Sequence, residues 1–223
     1  MTPAARTQAA IELLDQIVAA ARDSGAAADT LIARWFSTRR YAGSKDRRAI
    51  RDLVYDAIRL VGERPDGGRA AMLALAAAQP DLVAAFDGSP YGPAMIDPAE
   101  PIARPGHAPA WLIKRLRASD IGIEEQAALL ARAPLDLRVN RLKAVPDQVM
   151  AEIPGAERIA NVPDALRLPA DTQIDKLPAY NTGEIEVQDA GSQLVTLAAR
   201  AERGQHVIDL CAGAGGKTLA LAA

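Results

Sequence analysis

The glycine-rich segment Cys211-Ala-Gly-Ala-Gly-Gly-Lys-Thr218 limits the fold of this chain more than any other feature. It directly follows the short apolar run His206–Leu210, and a helical pattern begins at its end. A strand, a glycine loop and a helix form the opening unit of a doubly wound α/β sheet. The glycines let backbone N–H groups approach a ligand beside the positive end of the helix. Because a complete sheet needs several more strands, we expect residues 181–223 to be only its beginning.

Two general phosphate-binding motifs nearly fit this loop. Gly216-Lys-Thr218 matches the end of a Walker A loop, but Cys211 occupies the place of its first glycine. A dinucleotide fingerprint fits Gly213 and Gly215 and fails at Thr218. An NTPase therefore remains a minor alternative, and thermal stabilisation by ATP would be its evidence.

Composition excludes several classes of protein. The sole cysteine, Cys211, cannot form an internal disulfide, and His107 and His206 are too few for a metal site, so no metal is expected. No apolar run approaches the roughly 20 residues that cross a bilayer, and no secretory signal is visible. We therefore expect a cytoplasmic monomer without membrane contact. The net charge of -2 argues against a chain that coats nucleic acid indiscriminately.

Residues 1–86 predict an all-α bundle, because apolar side chains recur at helical spacing. The best-defined helix has Ser44 as its expected N-cap. Its predicted apolar face consists of Ile50, Leu53, Val54, Ala57, Ile58 and Val61. An alanine-rich helix over residues 69–79 should end at Pro80.

Residues 87–109 are rich in proline and glycine, which predicts a linker, and residues 110–180 predict a small α+β domain. The expected elements of that domain are helices at Trp111–Arg117 and Glu124–Arg132, a half-buried strand at Leu135–Val139, a short helix from Asp147 and one strand within Glu157–Leu168. Beyond it we expect an extended segment at Glu184–Gln188. A helix over Asp189–Glu202 should follow, ending at Gly204 and burying Leu194, Val195, Leu197 and Ala198.

Residues 207–218 resemble the first cofactor motif of the RsmB/Sun family of RNA cytosine-C5 methyltransferases, D-x-C-A-A-P-G-G-K-T, with Gly213 and Ala214 replacing the usual Ala-Pro pair. Other segments resemble the same family in its own order. They are Pro109–Arg115, Leu135–Lys143 and Glu186–Gln193, while Arg39–Arg59 resembles the NusB-like domain of many members.

The resemblance implies a NusB-like RNA-binding bundle, an RRM-like α+β domain and the start of a Rossmann-like domain that binds S-adenosylmethionine. It assigns the cofactor pocket to Cys211, Ala212, Gly213, Ala214, Gly215, Gly216 and Lys217, with Lys217 complementing the methionine carboxylate. In this family one cysteine attacks the cytosine and a second releases the product. Both lie on later motifs, so no catalytic residue is expected among these 223 residues, and the chain alone should be inactive. Cys211 is then expected to be a buried structural residue.

Basic residues are the candidate RNA contacts. Arg47, Arg51 and Arg59 recur with Tyr55 along one side of a helix, and Arg39, Arg40 and Arg48 lie nearby in sequence. The alternative is a solvated face on which arginines pair with Asp46, Asp52 and Asp56, and the sequence alone favours it. When the family resemblance is added, RNA contact and a solvated face are about equally favoured.

A second group of candidate RNA contacts is Lys114 and Arg115, beside Trp111. A base-stacking role for Trp111 is possible in principle, but a lone tryptophan on a short helix favours a core position. Asp189 and Ser192 fit a helix cap better than a ligand contact.

The leading hypothesis is a methyltransferase that acts on small-subunit ribosomal RNA. The alternative is a non-catalytic RNA-binding or assembly module formed by the helical and RRM-like domains.

Overall fold

The computed structural model describes residues 1–131, 133–170 and 172–223. The chain divides into two compact units, Met1–Ala131 and Arg132–Ala223. The first unit is helical, and the second combines short helices with a small antiparallel sheet. A mixed α and β architecture is therefore confirmed. The predicted domain borders at residues 86, 109 and 180 stay predictions.

The first unit contains six α-helices, with a 3₁₀ turn at Pro80–Ala85 after the fourth. They are α1 (Pro3–Arg22), α2 (Ala28–Ser37), α3 (Ser44–Leu60), α4 (Gly68–Ala78), α5 (Ala110–Ala118) and α6 (Ile123–Leu130). Helix α1 begins at Pro3 because the Thr2 hydroxyl accepts a hydrogen bond from the Ala5 N–H. The predicted end of α6 at Arg132 lies outside the described residues.

The core of this unit lies among α1 to α4. The predicted face of α3 is confirmed, with Ile50, Val54 and Ala57 buried. Helix α4 passes so close to α1 that a Cβ at Gly68 would lie 2.3 Å from the Ile11 carbonyl oxygen. The N–H of Gly68 donates to Asp15 Oδ1 at 2.6 Å, which joins the start of α4 to α1. The predicted N-cap Ser44 is wrong by one residue, because Gly43 is the cap and no side chain bonds there.

The proline-rich segment 87–109 has no helix or strand, but it is hydrogen-bonded to the bundle. The Arg69 guanidinium donates to Ala94 O, Met95 O and both carboxylate oxygens of Glu100. Backbone bonds from Gly106 to Leu60 and from Ala103 to Ala70 add to these. The segment is thus anchored to the helices that precede it.

The second unit has a four-stranded antiparallel sheet in the order β2-β3-β1-β4. The strands are β1 (Leu135–Val139), β2 (Glu157–Arg158), β3 (Ala165–Leu168) and β4 (Ile185–Val187). Its helices are α7 (Pro146–Glu152), α8 (Pro178–Asn181), α9 (Ala190–Ala198) and α10 (Gly216–Ala222), with a 3₁₀ turn at Ile174–Lys176. The single strand predicted within Glu157–Leu168 is in fact two, β2 and β3.

Both faces of the central strand β1 are covered. Leu137 and Val139 pack in the apolar core with Leu166 and Ile185. Asp136 and Arg138 on the other face are also buried, which contradicts the predicted half-buried strand. Cross-strand ion pairs, to Arg167 on β3 and Glu186 on β4, satisfy these charges.

Three predictions for the C-terminal segment are wrong. His206–Leu210 pairs with no described strand, and Ile208 and Leu210 are almost fully exposed. Helix α9 ends at Ala198 instead of Glu202, because Arg200 already adopts the left-handed conformation predicted for Gly204. Leu194, Val195, Leu197 and Ala198 are exposed instead of buried, although α10 packs against α9.

Within the described ranges, no helix is long and apolar enough to cross a bilayer.

Candidate functional site

The glycine loop between the extended segment and α10 forms a tight turn. Gly213 and Gly215 have φ values of 57° and 87°, a left-handed conformation that disfavours side chains with a Cβ. The N–H of Gly215 donates to Ala212 O at 2.9 Å, and Gly215 is the N-cap of α10. Nothing lies within 4 Å of a Cβ built on Gly215, so its backbone conformation alone favours glycine there.

This loop borders a cavity of about 390 Å³ in the second unit. Small-molecule sites commonly span roughly 300–1,000 Å³. The lining residues come from the end of β4, the start of α9 and the glycine loop. They are Val187, Gln188, Asp189, Ser192, Asp209, Cys211, Ala212, Gly216 and Lys217. Four of the seven predicted pocket residues thus line the cavity, while Gly213, Ala214 and Gly215 shape the turn behind it.

The cavity carries charges of both signs. Asp189 is the N-cap of α9, as the sequence indicated, and its carboxylate accepts bonds from the Ser192 hydroxyl at 2.7 Å and the Ser192 N–H at 2.9 Å. These bonds lower the pKa of Asp189. Asp209 Oδ2 accepts a bond from the Thr218 hydroxyl at 2.8 Å. Lys217 supplies the opposing positive charge, so the arrangement suits a zwitterionic ligand.

Sequence reasoning missed Val187, Gln188 and Asp209 as lining residues. Asp209 had a visible signal, because it is the one acidic residue of the run His206–Leu210 and lies two positions before Cys211. Val187 and Gln188 had none, since only the fold brings the end of β4 to the glycine turn.

Cys211 also lines this cavity and is exposed, which corrects the expectation of a buried structural cysteine. Its burial was expected from its small apolar side chain, but the segment before it forms no described strand and leaves Ile208 and Leu210 almost fully exposed. Among the described residues, no group of three or more side chains has the composition of a metal site.

The predicted RNA contacts of the helical unit fall into two sets. Arg39 stacks on Trp35, Arg47 donates to Ala42 O at 2.8 Å, and Arg59 pairs with Asp56 at 2.5 Å. These three arginines contact residues of the bundle. The pair between Arg59 and Asp56 fits the solvated-face interpretation, in which arginines pair with nearby aspartates. Arg40, Arg48 and Arg51 are exposed and form no ion pair with a described residue.

Helix α5 presents the other predicted contacts to solvent. Lys114 and Arg115 are exposed, and Trp111 is 64% exposed, which corrects its expected core position. No side chain of α5 is buried, so the short helix offers the indole no core to enter.

Known proteins were compared with this chain at the level of sequence and fold. No protein-family model matches it. Ribosomal RNA small subunit methyltransferase B of Sodalis glossinidius (strain morsitans) is 36% identical over 116 residues, 49% of this chain and 27% of that protein. The proteins of the same name from Enterobacter sp. (strain 638) and Shigella flexneri serotype 5b (strain 8401) are 36% and 35% identical over 116 and 119 residues. The resemblance to the RsmB/Sun family is confirmed.

The match to these RsmB/Sun proteins spans about a quarter of their length. The crystal structure of PH0851 shares the fold, with a TM-score of 0.56 and 20% identity over all of this chain and 61% of that one. The motif that carries the RsmB/Sun resemblance, residues 207–218, contains the glycine loop and five of the residues that line the 390 Å³ cavity.

Proposed function

We propose that this chain contributes the RNA-contacting region and the first cofactor-binding loop of an S-adenosylmethionine-dependent methyltransferase acting on cytosine C5 of small-subunit ribosomal RNA. The observation that carries the proposal is the left-handed glycine turn beside a cavity of mixed charge. The names of the curated relatives support ribosomal RNA as the substrate.

The residues of the cavity fit S-adenosylmethionine. Its methionine part is a zwitterion, and the cavity offers Lys217 for the carboxylate and Asp189 or Asp209 for the ammonium group. The glycine turn leaves backbone groups free of side-chain cover. When bound, the cofactor supplies an electrophilic methyl group on its sulfonium sulfur, while the residues of this chain only bind and orient it.

Under this proposal residues 1–86 correspond to the NusB-like region, residues 110–180 to the RRM-like region, and residues 181–223 to the start of a Rossmann-like region. Strands β1 to β3 with α7 packed on β3 support the second assignment, while β4 and α9, which also contact β1, belong to the third region. The exposed cations Arg40, Arg48, Arg51, Lys114 and Arg115 support contact with phosphates.

Binding of S-adenosylmethionine to the 223-residue chain tests the cofactor assignment. We expect isothermal titration calorimetry to detect binding of S-adenosylmethionine and no binding of ATP. Lys217→Ala should weaken the binding of S-adenosylmethionine about tenfold, because a charge-assisted contact is lost. Lys176→Ala, which removes an exposed lysine from a 3₁₀ turn, is the matched control and should leave the affinity unchanged.

The same titration separates the alternatives. RNA affinity without any cofactor binding would favour a non-catalytic RNA-binding or assembly module. Binding of ATP in place of S-adenosylmethionine would favour an NTPase.

A further inference from the structure

The helical unit has a larger cavity that the proposed cofactor site does not include. It measures about 790 Å³, and it is bordered by α1, the residues around the end of α2, and the turn at residues 90–92. Small side chains such as Ala5 and Ala9 form its floor, while Trp35, Tyr41 and Tyr91 contribute aromatic rings. The cavity therefore combines a shallow apolar surface with three flat side chains.

Trp35 forms part of the wall of this cavity. Its side chain is 4% exposed, and its indole nitrogen is buried without an acceptor. A ligand in the cavity therefore contacts the ring and not the N–H. The ring is held in one orientation by Phe36, edge-on at 5.2 Å, and by the Arg39 guanidinium, 4.0 Å above it.

Two tyrosines flank the cavity with their rings in solvent. Tyr41 is 70% exposed and Tyr91 is 80% exposed, so both rings are open to a stacking partner. The turn that carries Tyr91 is braced by backbone bonds from Gly92 to Ser89 and from Gly88 to Pro93, each 3.0 Å long. The ring is therefore presented by an ordered turn and costs little entropy to place.

The inside of the cavity carries a negative charge, and a positive charge lies near its rim. Glu12 lines the wall, accepts a bond from Gln8 at 3.5 Å and lies 3.9 Å from the Arg39 guanidinium. A carboxylate there disfavours phosphate inside but accepts bonds from an amino group. Arg40, next to Tyr41 in sequence, is exposed and free of ion pairs with described residues. A phosphate is thus favoured at the rim and a neutral, amino-bearing ring inside.

We propose that this cavity receives one unstacked nucleobase of an RNA strand, a proposal that rests on the RNA substrate proposed above. The base stacks on Tyr41 and Tyr91, and Glu12 accepts a hydrogen bond from an exocyclic amino group. Adenine, cytosine and guanine carry such a group and uracil does not. The flanking phosphates lie against Arg40.

Anisotropy of a fluorescein-labelled nine-nucleotide oligo(A) RNA, titrated with the full 223-residue chain, tests the stacking contact. The double variant Tyr41→Ala/Tyr91→Ala should bind at least about tenfold more weakly, because each stacked base contributes about 1–3 kcal/mol. The matched double variant Tyr41→Phe/Tyr91→Phe keeps both rings and should bind within about twofold of the parent. Oligo(U) should bind more weakly than oligo(A), and Glu12→Gln should reduce that preference.

A second measurement reports on Trp35 without disturbing the site. In Trp111→Phe the chain has a single indole, and its ¹⁵N-correlated N–H resonance should shift when oligo(A) is added, because Trp35 lines the cavity. Equal affinities of the alanine and phenylalanine pairs, an unmoved Trp35 resonance at saturating RNA, or no RNA binding at all would each overturn the proposal. The calorimetric titration with S-adenosylmethionine concerns the second unit and needs no RNA, so its outcome is independent of this site.

Discussion

At the scale of single residues, Asp136 shows how one buried carboxylate joins three elements. It accepts two bonds from the Arg167 guanidinium, at 2.8 and 3.0 Å, and a third from the Ala190 N–H at 3.2 Å. Strand β1, strand β3 and the first turn of α9 therefore meet at one side chain. The carboxylate in turn raises the pKa of Arg167.

Asp136→Ala should destabilise the second unit by about 2 kcal/mol, since it removes a buried acceptor and leaves Arg167, which is half-exposed, without its partner. The matched control is Asp147→Ala, which breaks the exposed pair with Arg158 and should cost less than about 0.5 kcal/mol. Urea unfolding followed by circular dichroism measures both. Equal losses of unfolding free energy in the two variants would show that burial does not strengthen the bonds of Asp136.

The carboxyl group of Glu100 makes the stability of the first unit depend on pH. Its bonds to Arg69 and to the Asp97 N–H lower its pKa from 4.5 to about 2. A carboxyl group with a depressed folded-state pKa stabilises the fold fully above its unfolded pKa and progressively less as pH falls toward the folded one. We therefore expect the first unit to lose stability between about pH 4.5 and 2, and Glu100→Gln to flatten that slope. Thermal melts across this range, with exposed Glu124→Gln as control, measure it.

At the scale of elements, α9 is rich in apolar residues but buries none of them. From residue 190 to 223 only Gln193 is buried, and its amide N–H groups donate to Leu137 O at 3.1 Å and Gln188 O at 2.9 Å. Hydrogen bonds from one polar side chain thus hold a helix whose apolar residues face solvent. Helices α1 and α4 contrast with it, since their apolar residues are in the core.

Amide hydrogen exchange should accordingly be faster in residues 190–223 than in α1 and α4, because little apolar surface resists local opening. Gln193→Ala should accelerate exchange in α9 further, because the lost hydrogen bonds lower the free energy of local opening by about 1–3 kcal/mol. Gln148→Ala on the surface of α7 should leave that exchange unchanged. Protection of residues 190–223 equal to that of α1 would contradict this account.

At the scale of the whole molecule, the chain holds one cysteine, and it lies on the glycine loop. The proposed cytosine chemistry uses two cysteines from later family motifs. We expect the 223-residue chain to transfer no methyl group from tritiated S-adenosylmethionine to small-subunit ribosomal RNA. Incorporation above background that disappears in Cys211→Ala would instead make this thiol the nucleophile.

The sequence by itself determined the features that depend on local pattern. The apolar periodicity of α3, the stop at Pro80, the Asp189 cap and strand β1 were all predictable, because each follows from neighbouring residues. The glycine loop was predictable for the same reason, since Gly213 and Gly215 adopt backbone angles that other residues avoid.

Only the tertiary structure decided which surfaces are covered. Asp136 and Arg138 are buried because partners on β3 and β4 neutralise them, whereas Trp111, Leu194 and Val195 remain exposed because the contacts around them cover too little of their surface. The cavity beside Trp35 joins α1 to residues 90–92, which are distant in sequence. Burial and cavities depend on contacts between distant segments, and no local pattern encodes those contacts.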